Sequence, residues 1–280
     1  MKTLIEERFG THPDDFKKYT TETIRKDFLI EAIMQPDTVK WVYSHNDRLM
    51  VGGVMPVEEQ LTLQTLDLLR AEYFLERREL GIINTGGAGV VYADGHAWEL
   101  ENKDALYIGK GIREVAFASM NAQNPARFYV NSAPAHTSYP TKRITKAEAI
   151  SVDMGSLETC NARTINKMIV NQLLDTCQLQ MGLTELKTGS VWNTMPAHTH
   201  PRRMEAYFYF ELPTDQAVCH FMGQPSETRH IWMKGEDAVI SPAWSIHAAT
   251  ATANYSFIWG MAGENLDYGD MDMVDTVDLR

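Results

Sequence analysis

Cysteine is scarce in this chain, and long apolar runs are missing. The 280 residues include three cysteines, Cys160, Cys177 and Cys219, with no C-x-x-C spacing. Such an odd, sparse set predicts free thiols in a reducing cytoplasm rather than a disulfide framework. No apolar run reaches the ~18–20 residues that a helix needs to cross a bilayer. The opening stretch MKTLIEERFGTHPDD is charged and lacks the apolar core of a signal peptide. We therefore expect a cytoplasmic protein that does not enter a membrane.

Basic residues are also in short supply. Lysine and arginine number 26 against 37 aspartates and glutamates, which gives a formal net charge of −11. This balance argues against a broad nucleic-acid-binding surface, because such a surface needs an excess of positive charge. An acidic small molecule could still bind, but only through a local cluster of arginine or lysine.

Turn residues, by contrast, occur throughout the chain. Stretches such as LGIINTGGAGVVYADGHAWEL alternate short apolar segments with Gly-rich and Asp-Gly turns, which favours antiparallel strands. Segment 77–89 is weakly similar to 203–215, and segment 103–119 to 236–252, which indicates two copies of one barrel. We predict an all-β fold with an N-terminal half at 1–150 and a C-terminal half at 151–280. Short helices are expected at the N-terminus and in the connection.

The stretch NTMPAHTHPRRMEAYFYF, residues 193–210, places two histidines two residues apart and a glutamate five residues later. On a strand, His198 and His200 face the same side, whereas Glu205 needs a turn between to join them. His247 follows on a later predicted strand. Three imidazoles and one carboxylate suit zinc, manganese, iron, nickel or cobalt. The sequence thus predicts a metal site inside the second barrel.

Together with Gly235, Pro242 and His247, which form a G-x6-P-x4-H pattern, this stretch is similar to the two motifs of the cupin superfamily. The usual glycine and asparagine of the second motif are Trp244 and Ala251 here. Nearly the whole chain resembles the 5-keto-4-deoxyuronate isomerase family of bicupins, through stretches such as YSHNDRLMVGGVMP, RTINKM and WNTMPAHTHPRRME.

The resemblance implies two cupin (jelly-roll) barrels in one chain and a homohexamer of such chains. It implies one Zn²⁺ per chain in the C-terminal barrel, with His198, His200, Glu205 and His247 as ligands. In the N-terminal half the corresponding positions lack imidazoles, and we expect that barrel to be metal-free.

The resemblance also implies an activity, the aldose–ketose isomerisation of 5-dehydro-4-deoxy-D-glucuronate to 3-deoxy-D-glycero-2,5-hexodiulosonate in pectin breakdown. Three alternatives stay open. An Fe(II) cupin dioxygenase would share the ligand set, and a related isomerase would act on 5-deoxy-glucuronate. A non-catalytic sugar-binding or storage bicupin is the third.

A uronate carries a carboxylate, for which arginine is the natural partner because its paired N–H groups match the two oxygens. Even spacing from Glu205 also places tyrosine hydroxyls on the inward face of the predicted strand. The candidates for substrate contact are Arg163, Lys167, Arg202, Arg203 and Tyr209.

Isomerisation further needs a group that moves a proton, and this group should lie near the mouth of the barrel. The stretch SETRHIWM offers Glu227 and His230. We take these two side chains as the candidates for the catalytic base.

Overall fold

The computed structural model describes residues 2–280, and most of the regular structure is β-strand. Two short helices, α1 (Pro13–Phe16) and α2 (Thr21–Phe28), lie near the N-terminus, and 3₁₀ turns occur at Asp67–Leu69, Lys146–Glu148 and Thr276–Asp278. The strands up to residue 144 are β1 (Lys2–Arg8), β2 (Leu29–Ile30), β3 (Thr38–Ser44), β4 (Met50–Met55), β5 (Leu61–Thr62), β6 (Arg78–Asn84), β7 (Gly89–Ala93), β8 (His96–Leu100), β9 (Ala105–Ile108), β10 (Val115–Ser119), β11 (Phe128–Pro134) and β12 (Lys142–Ile144). The later strands are β13 (Ile150–Met154), β14 (Arg163–Ile169), β15 (Gln180–Leu186), β16 (His198–Thr199), β17 (Arg203–Phe210), β18 (Val218–Gln224), β19 (Glu227–Met233), β20 (Ala238–Ser241), β21 (Ile246–Ala251), β22 (Ser256–Gly263) and β23 (Asp272–Met273).

These strands form two barrels with the same connectivity. One seven-stranded sheet has the order β1-β3-β4-β11-β6-β9-β12, and the other has the order β13-β14-β15-β22-β17-β20-β2. A four-stranded sheet, β5-β10-β7-β8, faces the first, and a three-stranded sheet, β19-β18-β21, faces the second. The predicted all-β fold of two jelly-roll barrels is confirmed. No helix within residues 2–280 has the length and apolar character to span a bilayer.

Each large sheet takes its last strand from the segment that precedes the other barrel. Strand β2, which comes before the N-terminal barrel, pairs with β20 through Leu29 and Val239. Strand β12, at the start of the connection, pairs with β9 through Ile144 and Ala105. Helix α2 follows the capping residue Thr20 and buries its apolar face against the C-terminal barrel. The short connecting segments therefore tie the two barrels together.

Three large apolar clusters contain most of the buried hydrophobic side chains. Two of them fill the barrel interiors, and the third lies between the two large sheets. In this middle cluster Tyr129 from β11 stacks on Phe208 from β17, with ring centroids 4.8 Å apart. A Cβ atom at Gly260 would lie 1.8 Å from Oδ1 of Asn131, so this close approach requires glycine. Strands β6 and β17 are consequently buried on both faces.

The interior of the N-terminal barrel is filled by side chains. Phe74 stacks on Trp41, with ring centroids 5.0 Å apart, and both residues are almost fully buried. Glu79, the counterpart of Glu205 in the aligned halves, accepts hydrogen bonds from the hydroxyl of Tyr107 and from the backbone N–H groups of residues 177–179 at 2.8–2.9 Å. In this half, the carboxylate anchors the connecting segment.

Candidate metal centre and adjoining cavity

Three short pieces of the C-terminal barrel carry the predicted ligands. His198 lies on β16, His200 directly follows it, and the chain then turns at residues 201–202 before Glu205 on β17. The turn places Glu205 on the inner face, as the odd spacing requires. His247 comes from β21 in the opposing sheet. The barrel closure therefore brings together groups that are far apart along the chain.

The four side chains converge on one point. One ligand atom from each of His198, His200, Glu205 and His247 lies within 4.8 Å of all the others. Nε2 of His247 is 3.0 Å from Nε2 of His198 and 3.1 Å from Oε2 of Glu205, which is 2.9 Å from Nε2 of His200. Neighbouring ligands at ~2.1 Å from one cation would be about 3.0 to 3.4 Å apart. The spacing thus fits a single metal ion.

The hydrogen bonds around the histidines also fit a cation. Nδ1 of His200 donates to the backbone carbonyl of Arg203 at 2.9 Å, because a carbonyl can only accept. When this ring is neutral, as a metal ligand must be, Nε2 presents its lone pair towards the carboxylate of Glu205. Two acceptors at 2.9 Å repel each other unless a positive charge lies between them. The donor set and its burial therefore suit a divalent metal, with Arg203 orienting one ligand through its carbonyl.

Burial favours neutral imidazoles at two of these positions. Desolvation lowers the pKa of His198 to about 3, and it lowers the pKa of His247 well below the usual value. At His200 desolvation acts in the same direction, but the hydrogen bond and charge of Glu205 outweigh it and raise the pKa. Histidine binds metal only as the neutral base. His198 and His247 are thus in the metal-binding form at neutral pH.

A cavity of about 230 Å³ opens above these four residues. His198, His200 and Glu205 form its floor, with His247 behind them, and Phe257, Trp259 and Met261 from β22 form an apolar wall. The size suits a small molecule rather than a polymer. Apart from the ligand residues, the polar lining consists of a few side chains, namely Arg163, Lys167, Thr184, Thr194, Arg203, Tyr207 and Tyr268.

Two cationic side chains of β14 face this cavity. Arg163 and Lys167 are four residues apart on the strand, which places both on the same face. Nη1 of Arg163 donates to the carbonyl of Asn161 at 2.8 Å, and burial lowers the pKa of this guanidinium. Among residues 2–280 neither cation forms an ion pair with a carboxylate. In an acidic protein, two unpaired cations in one cavity indicate an anionic ligand.

Arg202 and Arg203 both form hydrogen bonds with residues near the C-terminus. Arg202 is exposed and pairs with the carboxylate of Asp270, outside the cavity. Arg203 borders the cavity, but its guanidinium donates to the backbone carbonyls of Asp267 and Asp270. Both arginines therefore hold the C-terminal segment, residues 264–280, against the barrel. Bonds to this segment occupy most of their donors, although Nε of Arg203 is buried without a hydrogen-bond partner in the described chain. A role for either arginine in holding a substrate carboxylate therefore stays a prediction.

The C-terminal segment supplies part of the cavity wall. Tyr268, Met271 and Met273 line the cavity, and β23 pairs with β16 through Met273 and His198. Sequence reasoning missed these residues, since they lie outside both motifs and more than 60 positions beyond His198 and His200. An aromatic residue and methionines within an acidic tail were the only available signal.

Tyr207 and Tyr209 differ in their position relative to the cavity. Tyr207 lines the cavity, and its hydroxyl is 3.0 Å from Oγ1 of Thr194. Tyr209 is fully buried below the cavity, and its hydroxyl bonds to Nδ1 of His220 at 2.7 Å. Tyr209 therefore does not reach a bound molecule, and the inward tyrosine that does is Tyr207.

Glu227 and His230, the candidates for the base, lie outside the cavity. Both are on β19, the edge strand of the three-stranded sheet. Ile231 and Met233 take the inward positions of this strand, so the side chain of His230 is exposed. Glu227 pairs with Arg229 at 2.7 Å. Period-two alternation thus turns His230 away from the cavity, and neither residue lines it. Their assignment as the base stays a prediction that this geometry does not support.

A profile of the KduI/IolB family matches residues 28–276. The chain belongs to this family. A protein of Formosa agariphila, named 4-deoxy-L-threo-5-hexosulose-uronate ketol-isomerase, is 59% identical over 280 residues, which is 100% of both chains. A protein of Bacteroides thetaiotaomicron, named 4-deoxy-L-threo-5-hexosulose-uronate ketol-isomerase 1, is 61% identical over 280 residues and 100% of both chains. The resemblance stated from the sequence is confirmed, and the chain is an enzyme of the ketol-isomerase type.

Solved structures share the fold at much lower identity. An IolB-like protein from Salmonella typhimurium has a TM-score of 0.68 at 15% identity, over 81% of this chain and 87% of the other. Oxalate decarboxylase from Lactobacillus farciminis has a TM-score of 0.55 at 12% identity, over 81% of this chain and 79% of the other. These similarities support the cupin architecture alone.

Proposed function

We propose that this chain is a metal-dependent isomerase that converts 5-dehydro-4-deoxy-D-glucuronate to 3-deoxy-D-glycero-2,5-hexodiulosonate in pectin breakdown. The observation that carries the proposal is the cavity itself. Four ligand atoms converge, three of their residues line the cavity floor, and two cations without carboxylate partners lie in its wall. The names of the relatives from Formosa agariphila and Bacteroides thetaiotaomicron describe a ketol-isomerase of the same uronate.

We propose Zn²⁺ as the metal, one ion per chain, held by His198, His200, Glu205 and His247. Three imidazoles and one carboxylate are ligands that zinc accepts readily. A bound divalent ion supplies Lewis acidity, which polarises a carbonyl and lowers the pKa of a neighbouring hydroxyl. Zinc has no redox chemistry, which suits an isomerase and does not suit an oxygenase.

The residues of the chain provide binding and orientation. Arg163 and Lys167 hold the carboxylate of the uronate, which places the other end of the sugar acid towards the ligand cluster. Phe257 and Trp259 exclude water from one side of the bound molecule. Excluding water strengthens each electrostatic contact, because the local dielectric falls.

The size and charge of the site favour a monomeric acid. A cavity of about 230 Å³ holds a six-carbon acid but has no groove for a polysaccharide chain. The cations Arg163 and Lys167, which have no carboxylate partner within residues 2–280, lie in the cavity of a chain whose formal net charge is −11. Electrostatic attraction thus acts locally, on a small anion that has reached the mouth of the barrel.

The deciding experiment is an aldose–ketose assay on the unsaturated-uronate product, with and without a chelator. We expect turnover that is lost on chelation and restored by Zn²⁺. The His247→Ala variant should lose both bound metal, by elemental analysis, and turnover. His96→Ala is the matched control, because His96 is exposed in the N-terminal barrel.

Three results would contradict the proposal. Full turnover by a His247→Ala protein that has been shown to be metal-free would exclude the metal site. Oxygen consumption during turnover would indicate the dioxygenase instead. A faster rate on 5-deoxy-glucuronate would assign the chain to the related isomerase.

The homohexamer and the cytoplasmic location stay predictions from the resemblance. Analytical ultracentrifugation of the purified chain tests the first, because a hexamer of 31.7 kDa chains sediments far from a monomer or dimer. Cell fractionation tests the second.

A further inference from the structure

Thr194 has an unusual backbone conformation beside the cavity. Its φ angle is 46°, in the left-handed region, and it is the only β-branched residue within residues 2–280 with a positive φ. A β-branched side chain in this region costs about 1–3 kcal/mol, because it crowds the backbone. The surrounding structure holds Thr194 in this conformation despite the cost, which fixes the position of its side chain.

That side chain forms a pair of hydroxyls with Tyr207. Oγ1 of Thr194 is 3.0 Å from Oη of Tyr207, and both residues line the cavity. The ring of Tyr207 meets the ring of His247 edge-on, with centroids 5.5 Å apart. The ring of Tyr207 therefore lies beside the ligand cluster, and both residues share a cavity with His198, His200 and Glu205, where the reacting end of a bound sugar acid is expected.

An aldose–ketose isomerisation moves two hydrogens. One moves from carbon C2 to carbon C1, either as a proton or as a hydride. The other moves from the hydroxyl oxygen on C2 to the carbonyl oxygen on C1. This second transfer is needed by both routes, so its requirement does not depend on which route the enzyme uses.

We propose that the hydroxyls of Tyr207 and Thr194 relay this oxygen-bound proton, an inference that rests on the proposed function. Tyr207 gives its proton to the oxygen on C1 and takes the proton of Thr194. Thr194 in turn takes the proton of the hydroxyl on C2. One proton has then moved between the substrate oxygens, three O–H bonds have broken and three have formed. Each protein hydroxyl gives one proton and receives one, so neither has to ionise.

The other hydroxyls near the site do not offer such a pair. Tyr209 bonds to His220 away from the cavity. Tyr268 reaches the cavity, but its ring covers the ammonium group of Lys167. Of the tyrosines that line the cavity, Tyr207 is the one with a hydroxyl hydrogen-bonded to a second cavity hydroxyl.

The test removes one hydroxyl at a time and keeps the shape of each side chain. We expect Tyr207→Phe to lower kcat by about 100-fold or more, and Thr194→Val by about 10-fold or more, with KM within about threefold. Thr194→Ser restores the hydroxyl and should keep kcat within about threefold. Tyr129→Phe is the control, since Tyr129 is buried between the barrels and its hydroxyl accepts from Asn131. Metal content and melting temperature should match the parent in all four.

A proton inventory in mixtures of H₂O and D₂O separates relay from structural support. The parent and Thr194→Ser should give a curved dependence of kcat on deuterium fraction, as expected for several protons in flight. Thr194→Val should give a linear one. Tyr207→Phe with kcat within threefold of an active parent would overturn the relay and leave the proposed function intact. A folded, metal-loaded parent without turnover on the uronate would overturn the proposed function, and the relay with it.

Discussion

The ring of Tyr268 covers the ammonium group of Lys167, with Nζ 3.9 Å from the ring centroid. Tyr268 belongs to the C-terminal segment, and Lys167 belongs to β14 in the barrel wall. The contact therefore joins the last segment of the chain to the side chain that we propose as a carboxylate partner.

Tyr268→Ala should weaken substrate binding by leaving Lys167 without this contact. A cation–π contact contributes about 1 kcal/mol, so we expect KM for the uronate to rise about fivefold with kcat within about twofold. Tyr268→Phe keeps the ring and serves as the control. In a Lys167→Met background the alanine substitution should change KM little, and an unchanged fivefold effect there would contradict the coupling.

Lys167→Met should lower the affinity for the uronate more strongly. Methionine keeps much of the side-chain length and removes the charge, and a charge-assisted contact contributes about 1.5–3 kcal/mol. We expect kcat/KM to fall by roughly 10- to 100-fold, mainly through KM. Steady-state kinetics on the variant and the parent give the comparison. Metal content equal to that of the parent shows that the floor of the cavity is intact, and an unchanged KM would remove Lys167 from the binding site.

Asp270→Asn should loosen the C-terminal segment. The hydrogen bond with Arg202 holds the pKa of Asp270 far below its usual range, so the carboxylate stays charged at any working pH. The amide loses the ion pair, but the exposed position limits the effect. We expect faster proteolytic trimming of residues 264–280 and a fall in kcat/KM of about threefold. Asp215→Asn, at a site without an ion pair in the described chain, is the control.

His220 should make the protein less stable in acid. Burial lowers the pKa of His220 to about 3, against 6.5 for an exposed histidine. Below pH 6.5 the unfolded chain takes up a proton that the folded chain excludes, so stability is complete above 6.5 and is lost as the pH falls towards 3. At pH 4.5 the loss is about 3 kcal/mol from this residue.

His220→Asn should remove that part of the acid sensitivity. Urea unfolding at pH 7.5 and pH 4.5, with chelator present throughout, gives the free energy of unfolding at each pH. The difference between the two values should be about 3 kcal/mol smaller in the variant than in the parent. His96→Asn, at an exposed histidine, should leave the difference unchanged. Equal acid sensitivity in the His220 variant and the parent would show that this histidine is not neutral in the folded state.

Local spacing along the chain was sufficient to predict which side chains form the floor of the cavity. His198 and His200 share a strand face, and the odd offset of Glu205 required the turn that the structure has at residues 201–202. Alternation along one strand is a local property, which explains why the sequence could place these side chains. His247 followed from the second motif, because each motif belongs to a known sheet of the barrel.

Spacing alone did not predict the partners or the orientation of the charged side chains near the cavity. Arg202 and Arg203 adjoin the ligands in sequence, yet both are occupied by the C-terminal segment. His230 lies on an edge strand, at a position of the inward–outward alternation where the side chain faces solvent. The phase of a strand and the partners of a charged group depend on segments that are distant in sequence, so no local pattern reports them.

The sequence by itself indicated the class of fold through its turn and strand pattern, and the two barrels and the four ligands through its motifs and their resemblance to a known family. Only the folded chain decided which cations stay unpaired, which tyrosine reaches the cavity and that residues 264–280 close one side of it. The reason is physical: backbone periodicity sets the direction of a side chain within one element, whereas burial and pairing arise when separate elements pack together.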